Sequence, residues 1–232
     1  MNVYIKKLFS KRFAPLLAML IFPVLGMIYA AVNRVDDKVW SLVTPFDQAV
    51  PFIKWFAVPY SVWIIYIYIC VLFFFVKDVR TFYRAIATYT VCALLCYLVY
   101  SVFQTTVPRP ALDGSDPLTR LVAYIYNRDR PFNCFPSIHC FSSYMVFRIL
   151  ASSSFKTRRS LSLIGIGSGL IILSTQFIKQ HVVLDLIAGI ALVELVLPVV
   201  VLAERWIARE LAAGNRTKSR AKSRAKSTYY SS

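Results

Sequence analysis

Residues 56–103 read FAVPYSVWIIYIYICVLFFFVKDVRTFYRAIATYTVCALLCYLVYSVF. Two long apolar runs flank the charged segment KDVRTFYR. An α-helix needs about 20 predominantly apolar residues to cross the hydrocarbon core of a bilayer, whereas the core of a soluble domain needs no such runs. The stretch therefore predicts two transmembrane helices joined by a short charged turn, and it decides the fold class.

The same pattern recurs along the chain. Of its 232 residues, 58% are apolar, and the mean hydropathy is +0.59, as expected of a polytopic membrane protein. The N-terminus carries positive charge before an apolar run, like a signal peptide, but no clear cleavage pattern follows, so we interpret the run as an uncleaved first span. We predict an all-α fold with six transmembrane helices at residues 13–32, 56–76, 82–103, 136–153, 160–177 and 183–203.

The basic segments between these spans predict their orientation. Lys and Arg collect before the first span, between the second and third, between the fourth and fifth, and after the sixth. All four segments fall on one side if the spans alternate, whereas connections 33–55 and 104–135 are close to neutral. Because Lys and Arg accumulate on the cytoplasmic side, both termini are predicted to be cytoplasmic.

Composition divides the chain into two parts. Residues 1–203 form the predicted six-span membrane domain. Residues 204–232 form a basic tail that we expect to be disordered, because its Ala-Lys-Ser-Arg repeats have no apolar face. The net charge of +16 indicates orientation and contact with anionic lipid. No nucleic acid partner is expected, and the sequence leaves the oligomeric state open.

Six polar residues are predicted to converge at the outer ends of the spans. The chain has two histidines, one in CFPSIHC (134–140) at the start of the fourth span and one in STQFIKQHVVLD (174–185) before the sixth. Ionisable groups at membrane depth are costly and usually functional. The converging set comprises Arg109, Ser137, His139, Ser174, His181 and Asp185.

The residue types in this set suit phosphoryl transfer. His181 and Asp185 are spaced i, i+4, so the carboxylate can hold one imidazole nitrogen and leave the other as a nucleophile. Arg109 offers a planar fork for phosphate oxygens, and the two serines offer hydroxyl donors. His139 supplies a second titrating group. We therefore predict phosphoryl transfer through a phosphohistidine intermediate.

No metal and no cofactor are expected. Cys134 and Cys140 bracket the CFPSIHC motif at a position where a disulfide is chemically allowed, and the sequence leaves their bridging open. Their spacing is not a zinc pattern, because a second cysteine pair is missing and the chain has only two histidines.

Three segments in this order resemble the type 2 phosphatidic acid phosphatase family, the six-span lipid phosphatases and phosphotransferases that share a site with vanadium haloperoxidases. The family pattern is Lys-x6-Arg-Pro, then Pro-Ser-x-His, then Ser-Arg-x5-His-x3-Asp. The matching segments here are VFQTTVPRP (102–110), PSIH (136–139) and STQFIKQHVVLD (174–185). The resemblance covers residues 102–185 in motifs and most of the chain in span layout.

The resemblance implies a role for each matching residue. His181 would attack the phosphorus atom, and Asp185 would orient its ring. His139 would protonate the leaving alkoxide and then activate the acceptor. The phosphoryl oxygens would be held by Arg109, Ser137 and Ser174.

Two positions depart from the family pattern. The family lysine falls on Val102, and the arginine after the serine is Thr175, so two cations are missing. Asp129 and Asn133 belong to DRPFNCFPSIHC (129–140), which is similar to a stretch of inositol phosphorylceramide synthase-like and sphingomyelin synthase-like proteins. Those enzymes transfer a phosphoryl-alcohol headgroup to a lipid hydroxyl. Possible further contacts to phosphate or acceptor are Lys179, Arg128, Arg130 and Asn133.

Three functions remain open at this stage. The first is a lipid-phosphate phosphatase at the extracytoplasmic leaflet, acting on a phosphatidate, a polyprenyl phosphate or a related lipid phosphate. The second is a lipid phosphotransferase that passes a headgroup to a lipid hydroxyl. The third, less favoured than the other two, is a non-catalytic lipid-phosphate binder, which the two missing cations keep open. The expected location is a bacterial plasma membrane, because the loops are short and no leader is cleaved.

Overall fold

The computed structural model describes residues 13–33 and 38–230, of which residues 214–230 are described as backbone only. The basic residues before the first span, on which the predicted orientation partly depends, lie outside the described range. The chain divides into two compact units between Val196 and Leu197. All the predicted site residues lie in the first unit.

Helices dominate the described residues, which confirms the predicted all-α membrane fold. In chain order the elements are a 3-10 helix at Ala14–Leu20, α1 (Ile21–Val32), β1 (Trp40–Ser41), α2 (Pro45–Ala49), a 3-10 helix at Lys54–Phe56, α3 (Ala57–Ser61), α4 (Trp63–Lys77), α5 (Val79–Val102), β2 (Thr105–Thr106), α6 (Pro117–Arg128), α7 (Ile138–Ser152), α8 (Arg158–Phe177) and α9 (Val183–Tyr230). Five segments of the described chain are long and apolar enough to cross a membrane: Ala14–Val32, Lys54–Lys77, Val79–Val102, Arg158–Phe177 and Val183–Ala213.

The fourth predicted span, 136–153, corresponds to α7, which is shorter than these five. Its 15 residues rise by about 22 Å at 1.5 Å per residue, less than the hydrocarbon thickness of ~30 Å. The helix packs against α4, α5 and α8, and its first turn is enclosed by protein. The count of six spans therefore stays a prediction.

Polar residues beside the apolar runs start several of the helices. Asp78 caps α5, Ser137 caps α7 and Thr157 caps α8, each by accepting backbone N–H groups of the first turn. A capping side chain satisfies N–H groups that have no partner within the helix. The caps mark the residues at which these three helices begin.

A short strand pairing joins the connections that carry the motifs. Strands β1 and β2 pair in parallel, with Trp40 opposite Thr105 and Ser41 opposite Thr106. Thr106 also forms an antiparallel bridge with Phe132. The chain segments leading to the first and second motifs are thereby held together.

Helix α9 continues to Tyr230, whereas the sequence predicted a disordered tail from residue 204. Ala, Lys and Arg have high intrinsic helix propensity, which accounts for a helical backbone in a segment without an apolar face. The second compact unit, Leu197–Ser232, includes this segment. The division into a catalytic domain and a tail at residue 204 stays a prediction.

Candidate active site

Two helix starts bring the two histidines together. His139 lies in the first turn of α7, and His181 lies in the connection between α8 and α9. Nδ1 of His139 is 3.4 Å from Nε2 of His181, and each residue is 8% exposed. The structure thus joins residues that are 42 positions apart in the sequence.

Contacts to the ring and to the backbone hold His181 in place. Its Nδ1 is 3.2 Å from Oδ2 of Asp185, and the same oxygen accepts the N–H of Val182 at 3.0 Å. The backbone N–H of His181 donates to the carbonyl of Thr175, and the amide of Gln176 donates to the carbonyl of His181. Because Nδ1 contacts the carboxylate, Nε2 is the nitrogen directed at the second histidine.

A glycine lets α9 lie against the start of α7. A Cβ atom added to Gly189 would lie 3.0 Å from the carbonyl oxygen of Ser137 and 3.1 Å from the nitrogen of Phe141. One turn earlier, the carbonyl of Asp185 accepts the N–H of Ser137 at 3.2 Å. Small residues let helix backbones approach closely in membranes, so Gly189 sets the distance between the second and third motifs.

Aromatic rings and a carboxylate surround the rest of His139. The ring centroids of Tyr60 and Trp63 lie 4.5 Å and 4.1 Å from that of His139. Nε2 of His139 is 3.9 Å from Oδ2 of Asp129, and the hydroxyl of Tyr60 donates to the same oxygen. His139 therefore has a second imidazole at one nitrogen and a carboxylate at the other.

Arg109 reaches the site and is held by protein oxygens. Its Nη1 donates to the carbonyl of Tyr126 at 3.0 Å, and its Nη2 donates to the side-chain oxygen of Gln180. Burial lowers the pKa of Arg109, against the opposing charge of Asp129, and the guanidinium stays charged. Nε of Arg109 and Nε2 of Gln180 are buried without a hydrogen-bond partner in the described part of the chain. Both are donors that a phosphate oxygen can use.

The two predicted phosphate-binding serines are fully buried and form hydrogen bonds within their own helices. Oγ of Ser137 accepts the N–H of Cys140 at 3.2 Å. A hydroxyl has one donor and two acceptor sites, so this capping bond does not use its proton. Ser174 donates its proton to the carbonyl of Ile171 at 2.6 Å.

Lys179 binds α2 and the residue that follows it. Its ammonium donates to the carbonyl of Asp47 at 2.8 Å and to that of Val50. The carboxylate of Asp47 accepts the N–H of Val183 at 2.7 Å, at the start of α9. Burial lowers the pKa of Lys179, against the effect of Asp47. Lys179 and Asp47 therefore hold the turn that carries His181.

The other three possible contact residues differ in their surroundings. Asn133 is buried, donates its amide to Asn33 at 2.8 Å and accepts from Gln104 at 3.1 Å, so it joins three connections. Arg128 and Arg130 are exposed, and each lines a cavity next to the histidine pair.

A cavity of about 520 Å³ lies beside His139, and we name it the aromatic cavity. Side chains of α1 and of α3 to α6 bound it, and Asp129 and Arg128 supply charged groups. Its aromatic lining residues are Phe22, Tyr29, Tyr60, Trp63, Tyr68, Tyr89, Tyr97 and Tyr124. A mostly apolar cavity with a few polar groups is typical of a small-molecule or cofactor site.

Two further cavities adjoin His181. The cationic cavity, of about 400 Å³, is lined by His181 together with Arg109 and Lys179. The small cavity, of about 30 Å³, is lined by both histidines and by Cys134. The histidine pair therefore separates an aromatic compartment from a cationic one.

The two positions that depart from the family pattern add no charge to the site. Val102 is 78% exposed at the end of α5, so its side chain lies at the surface. Thr175 is fully buried, and its hydroxyl donates to the carbonyl of Ile172 at 2.7 Å.

The two cysteines of the CFPSIHC motif are both buried and free. Burial raises the pKa of the Cys134 thiol, and the negative charges of Asp185 and Asp129 add to this effect. Cys134 and Cys140 are therefore not bridged, which answers the question that the sequence left open.

The site geometry agrees with a comparison against protein families. Residues 37–199 match the model of the PAP2 superfamily, a stretch that covers more than half of the chain and contains both histidines. The chain belongs to the PAP2 superfamily. No curated protein and no solved structure matches it significantly.

Membership of the PAP2 superfamily confirms the resemblance drawn from the three motifs. It supports a phosphatase-type function on a lipid phosphate, and the apolar helices indicate an integral membrane protein. The narrower similarity to sphingolipid synthases is not shown.

Sequence reasoning did not identify three residues of this PAP2 site. Tyr60 and Trp63 lie in an apolar run, where aromatic residues indicate only a span or its interface. Gln180 directly precedes the motif histidine, and a polar residue in the same turn was the one available signal. Tyr60 stacks on His139 and Trp63 packs against it at a tilt, and Gln180 supplies an amide donor that has no partner among the described residues.

Proposed function

We propose that this PAP2 protein is a lipid-phosphate phosphatase that works through a phosphohistidine intermediate at the extracytoplasmic leaflet. The observation that carries the proposal is the arrangement around His181. Its Nδ1 lies 3.2 Å from the carboxylate of Asp185, and its Nε2 lies 3.4 Å from Nδ1 of His139. The carboxylate leaves Nε2 as the nucleophile, and the second imidazole can give and take a proton.

The reaction proceeds in two steps. Nε2 of His181 attacks the phosphorus, and the bond between phosphorus and the alkyl oxygen breaks as His139 gives that oxygen a proton. His139 then takes a proton from water, whose oxygen attacks the phosphorus, and the bond between phosphorus and nitrogen breaks to release inorganic phosphate. Each hydrogen bond spans ~3 Å, so a phosphoryl group between the rings needs more than the 3.4 Å that separates their nitrogens. Substrate binding must therefore move the rings apart.

Arg109 and Gln180 hold the phosphoryl oxygens in this mechanism. Their buried nitrogens Nε and Nε2 lack hydrogen-bond partners within the described residues, and Ser137 adds a hydroxyl. Charge stabilisation at the transferring group supplies much of the rate in phosphoryl transfer. Ser174 and Lys179 instead stabilise the fold. Ser174 donates a hydrogen bond to a carbonyl of its own helix, and Lys179 donates to the carbonyls of Asp47 and Val50.

The aromatic cavity receives the apolar part of the substrate, such as a phosphatidate or a polyprenyl phosphate. Its lining is largely apolar, and it adjoins the catalytic His139. The extracytoplasmic orientation of the site follows from the predicted cytoplasmic position of the basic connections, and the proposed location is a bacterial plasma membrane.

A second candidate function is transfer of a phosphoryl-alcohol headgroup to a lipid hydroxyl. It is favoured by the presence of separate cavities on the two sides of the histidine pair. Two compartments can hold a donor and an acceptor at the same time. In this case a hydroxyl in the aromatic cavity, rather than water, gives its proton to His139 in the second step.

Product analysis with the purified protein in detergent tests these functions. With phosphatidate as substrate, we expect release of inorganic phosphate by the wild type and none by His181→Ala. Cys140→Ser, a buried substitution on the same helix as His139, is the matched control and should stay active. Wild-type turnover in His181→Ala would refute the phosphohistidine step.

The same assay with a phospholipid donor and a long-chain alcohol separates the alternatives. A new headgroup lipid without phosphate release selects the second function. Absence of both products from folded protein means that the chain binds lipid phosphates without turning them over.

A further inference from the structure

Three buried donor side chains meet beside the histidine pair. Cys134, His181 and Asp185 each place one potential ligand atom within 4.8 Å of the other two, and their exposures are 4%, 8% and 0%. We propose that these residues form an inhibitory binding site for a thiophilic divalent metal ion such as Zn²⁺ or Cd²⁺. Thiolate, imidazole and carboxylate are the protein ligands of zinc, and three of them leave a position open for a fourth ligand.

Asp185 supplies an observation independent of the distances. Its Oδ2 contacts His181 and Val182, but its Oδ1 is buried and has no hydrogen-bond partner among the described residues. A buried acceptor without a partner is costly. A divalent cation bound to this oxygen would give it a partner. Bound also to the Cys134 thiolate, the cation would balance the negative charges of the carboxylate and the thiolate.

The small cavity provides room for one ion. Its volume of about 30 Å³ adjoins two of the three proposed ligands, Cys134 and His181, and Arg130 also lines it. A cavity needs roughly 10–15 Å³ of such volume to hold a water molecule. A lipid headgroup is far larger than this space. The small cavity therefore has room for a single ion but not for the headgroup of a substrate.

A metal at this site blocks the reaction by replacing a contact. A metal on Nδ1 of His181 displaces its contact with Oδ2 of Asp185, and a metal on Nε2 displaces the contact with His139 and occupies the nucleophile. The effect on turnover rests on the proposed function, whereas metal binding itself does not. Cys134 enters neither catalytic step, which makes it the residue to change.

Absorption spectroscopy with Co²⁺ measures the binding directly. Cobalt bonded to a thiolate gives a charge-transfer band in the near ultraviolet. We expect this band when the purified full chain is titrated with Co²⁺, its loss in Cys134→Ser, and its retention in Cys140→Ser, which changes a neighbouring buried thiol outside the cluster. Asp185→Asn, which keeps the size of the side chain, should weaken Co²⁺ binding and is a second test if Cys134→Ser does not fold.

Inhibition is measured on the same proteins. Zn²⁺ should inhibit the wild type reversibly, with recovery after chelation. Cys134→Ser should keep its turnover and need at least about tenfold more Zn²⁺ for the same inhibition. Even the loss of a residue that only hydrogen-bonds to a metal ligand lowers metal affinity by about 10–100-fold.

Absence of the cobalt band in the wild type, or its persistence in Cys134→Ser, would overturn the site. Equal Zn²⁺ sensitivity of the two proteins would overturn the inhibition. A protein without turnover that still shows the band would refute the proposed function and leave the metal site supported.

Discussion

Replacing Asp129 with asparagine tests whether the carboxylate beside His139 assists protonation of the leaving group. Oδ2 of Asp129 is 3.9 Å from Nε2 of His139, and it accepts the hydroxyl of Tyr60. Asparagine keeps the size of the side chain and an oxygen acceptor for Tyr60, but it removes the charge. The imidazolium that gives the proton then loses its counter-charge.

The distance sets the magnitude of the effect. Two unit charges 3.9 Å apart attract each other by about 4 kcal/mol at an effective dielectric constant of ~20 and by about 1 kcal/mol in bulk water. The side chain of Asp129 is 32% exposed, so solvent screening places the real value between these limits. Since about 1.36 kcal/mol changes a rate tenfold, the limits correspond to about sixfold and about a thousandfold. We expect kcat/KM for a lipid phosphate to fall by about ten- to a hundredfold.

The assay compares two leaving groups. Phosphatidate releases a poor leaving group that needs a proton, whereas an aryl phosphate releases a phenolate that needs little help. Asp129→Asn should therefore impair the first substrate far more than the second. Asp113→Asn, which neutralises an exposed carboxylate in the connection before α6, is the matched control. Equal losses on both substrates, or no loss on either, would refute the assignment of His139 and Asp129.

Three other changes test the architecture. Gly189→Ala places a Cβ atom 3.0 Å from a carbonyl oxygen of α7, so thermal stability and turnover should both fall; Gly169→Ala, where nothing lies within 4 Å of the added atom, should leave both intact. Lys179→Met removes hydrogen bonds to the carbonyls of Asp47 and Val50 and should lower the free energy of unfolding by about 1–3 kcal/mol. A raised KM without loss of stability would instead show that Lys179 binds phosphate. Deletion of residues 214–232 should leave phosphate release unchanged in membranes, and a large loss in inserted protein would show that the tail acts on the site.

The transmembrane pattern could be predicted because the length of an apolar run is a local property. Helices α4 and α5 end within a few residues of the predicted spans 56–76 and 82–103. The prediction is weakest at 136–153, where α7 is short and is enclosed by neighbouring helices. Hydropathy along one chain does not report which helices surround a segment, so it does not separate a buried helix from a span.

The motif spacing predicted the contact between motif residues better than the residues that support them. The i, i+4 spacing of His181 and Asp185 implies their contact, and the structure has it. The rings that pack against His139 come from α3 and α4, far away in the sequence. Gly189 lies in an apolar span, where a glycine has no distinguishing signal until a second backbone is placed beside it. Such supports depend on tertiary packing, and one sequence does not contain that information in local form.

The charge of the site bears on the choice between the two proposed functions. A phosphomonoester carries a charge of about −1.5 to −2 near pH 7, whereas a phosphodiester carries about −1. The family positions for two further cations hold the surface residue Val102 and the neutral, buried Thr175, and Arg109 already donates to neutral protein oxygens. Asp129 and Asp185 add negative charge beside the histidines. This balance favours the singly charged diester that donates a headgroup, so the second function predicts that kcat/KM for a phospholipid diester equals or exceeds that for phosphatidate with the same acyl chains, whereas the proposed phosphatase predicts the reverse. A preference for phosphatidate of more than about tenfold, or about 1.4 kcal/mol, is the result we expect of the phosphatase, and the opposite preference would refute hydrolysis as the main reaction.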